Sequence, residues 1–178
     1  MVECKSALRK EVRSRLATLS MDEKVARSRL MSTVVKNHLA VSGARVVALF
    51  APLASEPQIW ALVEELSMFM TVVLPRVQGD TMEFYCYDPT VMVRSALGVL
   101  EPANGEPVMP HEIDVVLVPG VVFTKEGMRM GRGKGFYDRY LSQAGFRGLK
   151  IGICYAEQIV EALPVEPHDV KMDVVIYK

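Results

Sequence analysis

Apolar residues along this chain fall into two rhythms, stripes at helical spacing and short unbroken runs, and the two alternate. Leu8, Val12, Leu16 and Leu19 keep an i, i+4, i+8, i+11 stripe that predicts a helix over 3–19. Ser20-Met21-Asp22-Glu23 is a capping box, so a second helix is expected from residue 21 to about Leu39, burying Ala26, Leu30 and Val34, with Gly43 as the break. Arg45–Phe50 is an apolar run of the kind that forms a buried strand, ended by Pro52. Helical character returns over Glu56–Met70, with Pro57 suited to an early helical position. Thr71–Leu74 reads as a buried strand closed by Pro75, and Met82–Tyr87 alternates enough to suggest a more exposed one. Residues 98–113 hold three prolines and two glycines with little periodicity and predict a long ordered loop. Asp114–Val118 is a third buried strand, a helix is expected from Phe136 to Ala144, and Leu149–Cys154 and Val174–Tyr177 are the last strands.

Strands alternating with helices predict an α/β, three-layer sandwich with a mainly parallel sheet. With 178 residues and no repeat or linker, 1–178 is expected to be a single domain. Lys plus Arg (21) balance Asp plus Glu (21), so bulk charge makes no case for a nucleic-acid or membrane partner, and any anion site must be local. Cys4, Cys86 and Cys154 are scattered, without a C-x-x-C pair, which suits a reducing cytoplasmic setting and argues against a zinc site. His38, His111 and His168 are equally dispersed and read as surface or loop residues. No secretory signal is visible at the N-terminus, and a monomer is expected.

The chemistry concentrates in Gly127-Met-Arg-Met-Gly-Arg-Gly-Lys-Gly-Phe-Tyr-Asp138. Glycines let backbone N–H groups line an anion-binding concavity, Arg132 and Lys134 add charge-assisted hydrogen bonds, and Asp138 could hold a divalent cation beside the same anion. The run is neither a Walker A loop, since Gly135 stands where Ser or Thr is required, nor a G-x-G-x-x-G dinucleotide fingerprint. It follows a strand end and enters a helix, which is where α/β sheets bind anions. Lys5, Arg9 and Arg13 recur every four residues on the first helix; by themselves they read as a solvated ridge.

From Leu117 to Leu141 the sequence resembles the signature of the 5-formyltetrahydrofolate cyclo-ligase, or 5,10-methenyltetrahydrofolate synthetase, family. Lys5-x-x-x-Arg9, Glu56, Pro75-Arg76, Glu101-Pro102 and His168-Asp169 to Asp173 occur in the family's order. Three segments depart from the usual pattern: Ala51, Leu97-Gly98-Val99-Leu100, and Val170-Lys171-Met172-Asp173. The resemblance implies ATP-dependent cyclisation of 5-formyltetrahydrofolate with Mg²⁺, in a fold related to ribose-phosphate isomerases and CoA transferases. It further implies that Lys5, Arg9 and the loop Arg129, Met130, Gly131, Arg132, Gly133, Lys134, Gly135, Phe136 and Tyr137 bind ATP. Phe50, Ala51, Glu56, Arg76 and Arg132 through Phe136 would contact the folate, and Asp138 and Asp173 the metal. Arg132, Lys134 and Tyr137 are the expected catalytic groups. Two other readings remain open at this point: a phosphosugar isomerase or CoA-transferase-like enzyme recruiting Glu56 or Glu101, and an RNA-binding module using Arg129, Arg132 and Lys134.

Overall fold

A computed structural model describes residues 5–96 and 98–178; Cys4, Leu97 and the start expected for the first helix at residue 3 lie outside them. Two helices, α1 (Lys5–Leu16) and α2 (Met21–Ser42), precede β1 (Val46–Ala48), α3 (Trp60–Ser67), β2 (Thr71–Gln78) and β3 (Thr81–Cys86). A small hairpin of β4 (Met92–Arg94) and β5 (Leu100–Pro102) leads to β6 (Val115–Val118), then a second hairpin of β7 (Val122–Thr124) and β8 (Arg129–Met130). The chain finishes with α4 (Phe136–Leu141), β9 (Leu149–Cys154), β10 (Ile159–Val160) and β11 (Val174–Tyr177).

The central sheet has the order β11-β9-β6-β1-β2-β3, parallel except for β3. Alternate residues of each strand serve opposite cores, as the pleat requires. Val47, Leu49, Val72, Leu74, Val115, Leu117, Ile151 and Ile153 pack with α1, α2 and α3. Ala48, Val73, Val116, Val118 and Cys154 face the other way, against α4 and Phe123 of β7. The expected three layers and mainly parallel sheet are thus present. Gly152 lets the second core close tightly: a Cβ there would stand 2.7 Å from the Phe123 ring. Gly152→Ala is expected to overpack this contact and cost about 1–3 kcal/mol, read as a lowered urea midpoint at unchanged m-value.

Several boundaries differ from the sequence expectation. The capping box is present, with Ser20 Oγ accepting the Glu23 N–H at 3.2 Å and Glu23 accepting the Ser20 N–H at 2.9 Å. However, α2 buries Ser28, Met31, Val35 and Leu39, and leaves Leu30 58% exposed. The third helix begins at Trp60 rather than Glu56, because residues 53–56 close a turn in which the Glu56 N–H bonds the Leu53 carbonyl. Pro75 does not end β2. The Val73 carbonyl faces β1 and accepts from Leu49 N–H, so the Pro75 nitrogen faces the same side, beyond the end of β1. β3 is the more exposed edge strand expected, with Thr81, Glu83 and Cys86 exposed, while α4 covers its other face, where Phe84 meets Tyr140 with ring centroids 4.8 Å apart. The loop expected over 98–113 contains β5 and a 3₁₀ turn at Pro110–Glu112, and α4 stops at Leu141, not Ala144.

Candidate functional site

Loops leaving the carboxyl ends of β1, β6 and β9 converge, and the first helix completes the cleft. Helix α1 is seated by Leu8, Val12 and Leu16, all buried, each worth about 1.5–3 kcal/mol. That seating fixes Lys5 and Arg9 on the adjoining face. Arg9 Nε donates to the Gly131 carbonyl at 2.8 Å, and Lys5 Nζ lies 3.0 Å from Glu166 and 3.2 Å from Asp169. Burial lowers the Lys5 pKa, but the two carboxylates outweigh it and leave the ammonium above its ordinary value.

The glycine-rich segment is shaped by two arginines beneath it. Arg129 is 3% exposed; its guanidinium donates to the Pro119 carbonyl at 3.3 Å and to Asp138 Oδ2 at 2.8 Å. A Cβ at Gly131 would lie 2.9 Å from that guanidinium, so the close approach requires glycine. Arg139 donates to the Lys134 and Asp80 carbonyls, both at 2.8 Å, and pins the far end of the loop. Gly133 (φ 101°) and Gly135 (φ 67°) occupy left-handed backbone, which turns the chain between these pins into α4.

Lys5, Arg9, Met130, Gly131, Gly133, Gly135, Asp138, Glu166, His168 and Asp169 enclose a cavity of about 270 Å³. It carries both signs of charge, cations for an anionic ligand and carboxylates for a hard divalent cation. Asp138 Oδ1 also accepts the Val170 N–H at 3.1 Å, which draws the 166–170 segment against α4.

On the other side of the loop, Arg132 reaches Glu56, with Nη2 3.2 Å and Nε 3.3 Å from Oε1, and donates to Ser55 Oγ at 2.8 Å. Glu56 is buried, and its other oxygen accepts the Leu53 N–H at 2.9 Å. Lys134 is exposed at the loop tip. Tyr137 is half-buried; desolvation, with Glu56 nearby, holds its phenol far above the ordinary value despite Arg129, so it can donate a proton in a hydrogen bond but not serve as a base.

The structure therefore gathers Lys5, Arg9, Met130, Gly131, Gly133, Gly135 and Asp138 around one cavity, with Arg132, Lys134, Phe136 and Tyr137 on the same loop and its helix. Four expectations are revised. The Arg129 side chain lies buried under the loop as a brace and is not among the residues lining the cavity. Arg76 stacks on Tyr85, 3.8 Å from the ring centroid, and donates to the Pro102 and Ala103 carbonyls, so it secures the β4–β5 hairpin. Phe50 is buried in the helical-side core, leaving its backbone and half-buried Ala51 toward the cleft loop. Asp173 is not brought to the cavity. At the amino-terminal edge of β9 and β11 its carboxylate accepts the Lys150 N–H at 2.8 Å and pairs with Lys150 Nζ at 2.9 Å.

Asp169 lines the cavity with Asp138 instead, and Glu166 and His168, the latter taken from the sequence as an ordinary loop histidine, stand beside it. Ligand atoms of Glu166, His168 and Asp169 lie within 4.8 Å of one another. The signal for Asp169 was its place four residues before Asp173 in the same tail. An extended chain covers roughly 13 Å over that distance, enough to separate cavity from sheet edge.

The profile of the 5-formyltetrahydrofolate cyclo-ligase family matches residues 1–178. A 5-formyltetrahydrofolate cyclo-ligase of Mycolicibacterium smegmatis is 34% identical over 145 residues, covering 75% of this chain and 73% of the relative. The mouse 5-formyltetrahydrofolate cyclo-ligase is 26% identical over 189 residues, with 98% and 93% covered. Among solved structures, the 5,10-methenyltetrahydrofolate synthetase of Aquifex aeolicus superposes with a TM-score of 0.87 at 35% identity, covering 97% of this chain and 89% of that one. That of Mycoplasma pneumoniae gives 0.79 at 30% identity, with 97% of each covered. Fold and sequence thus agree on a cyclo-ligase architecture. The chain belongs to the 5-formyltetrahydrofolate cyclo-ligase family.

Proposed function

We propose that this protein converts 5-formyltetrahydrofolate and ATP to 5,10-methenyltetrahydrofolate, ADP and phosphate in the cleft that the glycine-rich loop divides. The observation that carries the reading is this loop's position, with the mixed-charge cavity on one side and the Glu56–Arg132 contact on the other. The triphosphate would lie against Lys5, Arg9 and the backbone of residues 130–135. The folate would lie beside Glu56 and Ala51, with Arg132 between the two. Asp138 and Asp169, with Glu166, offer the hard oxygen donors that suit Mg²⁺, which would supply neutralisation of phosphoryl charge. Asp169 replaces Asp173 in this assignment. Family membership disfavours the isomerase and RNA-binding alternatives, whereas kinship to ribose-phosphate isomerase and CoA-transferase folds remains part of this proposal.

The chemistry needs no strong base. The formyl oxygen attacks the γ-phosphorus in line as the bond to the ADP oxygen breaks; Arg132, Lys134 and the loop N–H groups stabilise charge on the transferring oxygens. N10 then attacks the activated carbon, the C–O bond breaks, phosphate leaves and N10 releases its proton. That ring closure is intramolecular, where effective molarities can reach ~10⁵–10⁸ M, so holding the folate in place supplies much of the acceleration. The isomerase and transferase alternatives predict no such dependence on ATP.

Purified protein mixed with Mg²⁺-ATP and 5-formyltetrahydrofolate should develop methenyl absorbance in step with phosphate release; folded protein that releases neither overturns the proposal. Within it, Asp169→Asn should weaken Mg²⁺ binding by roughly 10–100-fold, measured by calorimetry in the presence of ADP, while Asp173→Asn should leave it unchanged. The reverse pattern would return the metal site to Asp173. Helices of the described residues include none long and apolar enough to cross a membrane.

A further inference from the structure

We propose that the buried hydroxyl pair Tyr155–Ser28 is a positioning device for the folate side of the cleft, acting through the Glu56 turn. The inference rests on the folate assignment of Glu56 made above. Tyr155 follows β9 directly and is fully buried, and Ser28 is the polar member of the buried face of α2. The Tyr155 hydroxyl donates to the Glu56 carbonyl at 3.0 Å and stands 3.3 Å from Ser28 Oγ. Ser28 Oγ donates to the Lys24 carbonyl at 2.6 Å and accepts the Gln58 N–H at 2.8 Å. Two hydroxyl hydrogens thus serve two carbonyls on different elements, and the two oxygens lie side by side between them. Helix α2, the end of β9 and the turn around Glu56 are held at one point.

Tyr155 itself is anchored. Gln158 accepts the Tyr155 N–H at 2.8 Å and donates to the Gly120 and Val121 carbonyls at 2.8 and 3.1 Å. Val121 N–H in turn bonds the Met130 carbonyl, immediately before Gly131. One short turn after β9 is therefore tied to the base of the nucleotide-side hairpin through Gln158 and to the Glu56 turn through Tyr155. The Glu56 carboxylate meets Arg132 of the glycine-rich loop, so its height above the sheet sets the gap between the two substrate positions.

Tyr155→Phe keeps the ring and removes the bond to the turn. The Glu56 carbonyl retains the Gln58 Nε2 donor at 2.7 Å, so no acceptor is orphaned and the fold should persist, with Tm falling by about 2–4 °C. The expected result is a KM for 5-formyltetrahydrofolate raised roughly tenfold, a KM for ATP changed less than about twofold, and a further loss on adding Glu56→Gln that is smaller than the product of the two single effects. Ser28→Ala, which removes the other hydroxyl, should show the same split. The proposal is overturned if both KM values rise in parallel, if neither moves, if the effects multiply independently, or if neither variant folds, which would make the pair a core element alone. Glu56→Gln with an unchanged folate KM would remove the Glu56 assignment instead, and the positioning argument with it.

Discussion

Replacing Lys134 with alanine is expected to lower kcat by roughly 10²–10³-fold while leaving stability within about 0.5 kcal/mol. The two halves of this expectation have separate origins. Lys134 is exposed at the tip of the loop, and among the described residues its side chain makes no ion pair or hydrogen bond; only its carbonyl is held, by Arg139. Nothing folded depends on the ammonium. Its neighbours Gly133 and Gly135 line the mixed-charge cavity, so in the proposed reaction its ammonium would meet the charge developing on the transferring phosphoryl group. Steady-state kinetics with both substrates, beside thermal melts, checks the result. Lys134→Arg should restore little, because a planar fork on an exposed tip presents its charge differently from a compact ammonium. Equal loss of folding and turnover would assign Lys134 a structural role.

Arg129→Met should do the opposite and destabilise the protein by about 3–5 kcal/mol, since removing one member of a buried pair strands the other. Arg129 bridges the Pro119 carbonyl and Asp138, whose side chain is 12% exposed. With the guanidinium gone, Asp138 keeps, among the described residues, the Val170 N–H, and the segment at Gly131 after β8 loses its floor. For a chain of this size the change corresponds to a Tm drop of roughly 6–20 °C. Arg129→Lys should rescue only in part, because a point charge cannot reach both partners in fixed geometry. The double variant Arg129→Met with Asp138→Leu should recover much of the stability and none of the turnover. A double variant as unstable as the single one would show that the cost is packing rather than charge. Among the described residues Arg129 Nε is buried without a hydrogen-bond partner, so the native arrangement tolerates a polar cost to keep the brace in place.

Legibility of the elements in the sequence depended on how local their causes were. The α2 start was readable because a capping box is completed within four residues. Its buried face was not, because Ser28 occupies a core position and Leu30 a surface one; hydropathy cannot anticipate a serine whose hydroxyl is satisfied by Lys24, Gln58 and Tyr155. Pro75 signals a strand end in an interior strand, yet β2 continues past it because β1 ends first. The neighbours of Glu56 suggest a helix, yet it closes a turn on Leu53 and meets a residue 76 positions away.

At the site, the sequence by itself determined the chemistry. The glycine-rich run, its cations and its following carboxylate are contiguous, so their proximity was assured by covalent connection, and Lys5 and Arg9 share a helix face through simple periodicity. Which side chains line the cleft was decided in tertiary structure alone. Arg129 and Arg132 are three residues apart in one motif, but the first is drawn under the loop by Asp138 and Pro119, and the second out to Glu56. Asp169 and Asp173 look interchangeable in a short acidic tail, until the pairing of β11 with β9 carries Asp173 to Lys150 and leaves Asp169 at the cavity. Charge and backbone freedom are properties of residues and can be read in order along the chain. Partnership depends on distances that exist only after the sheet has formed.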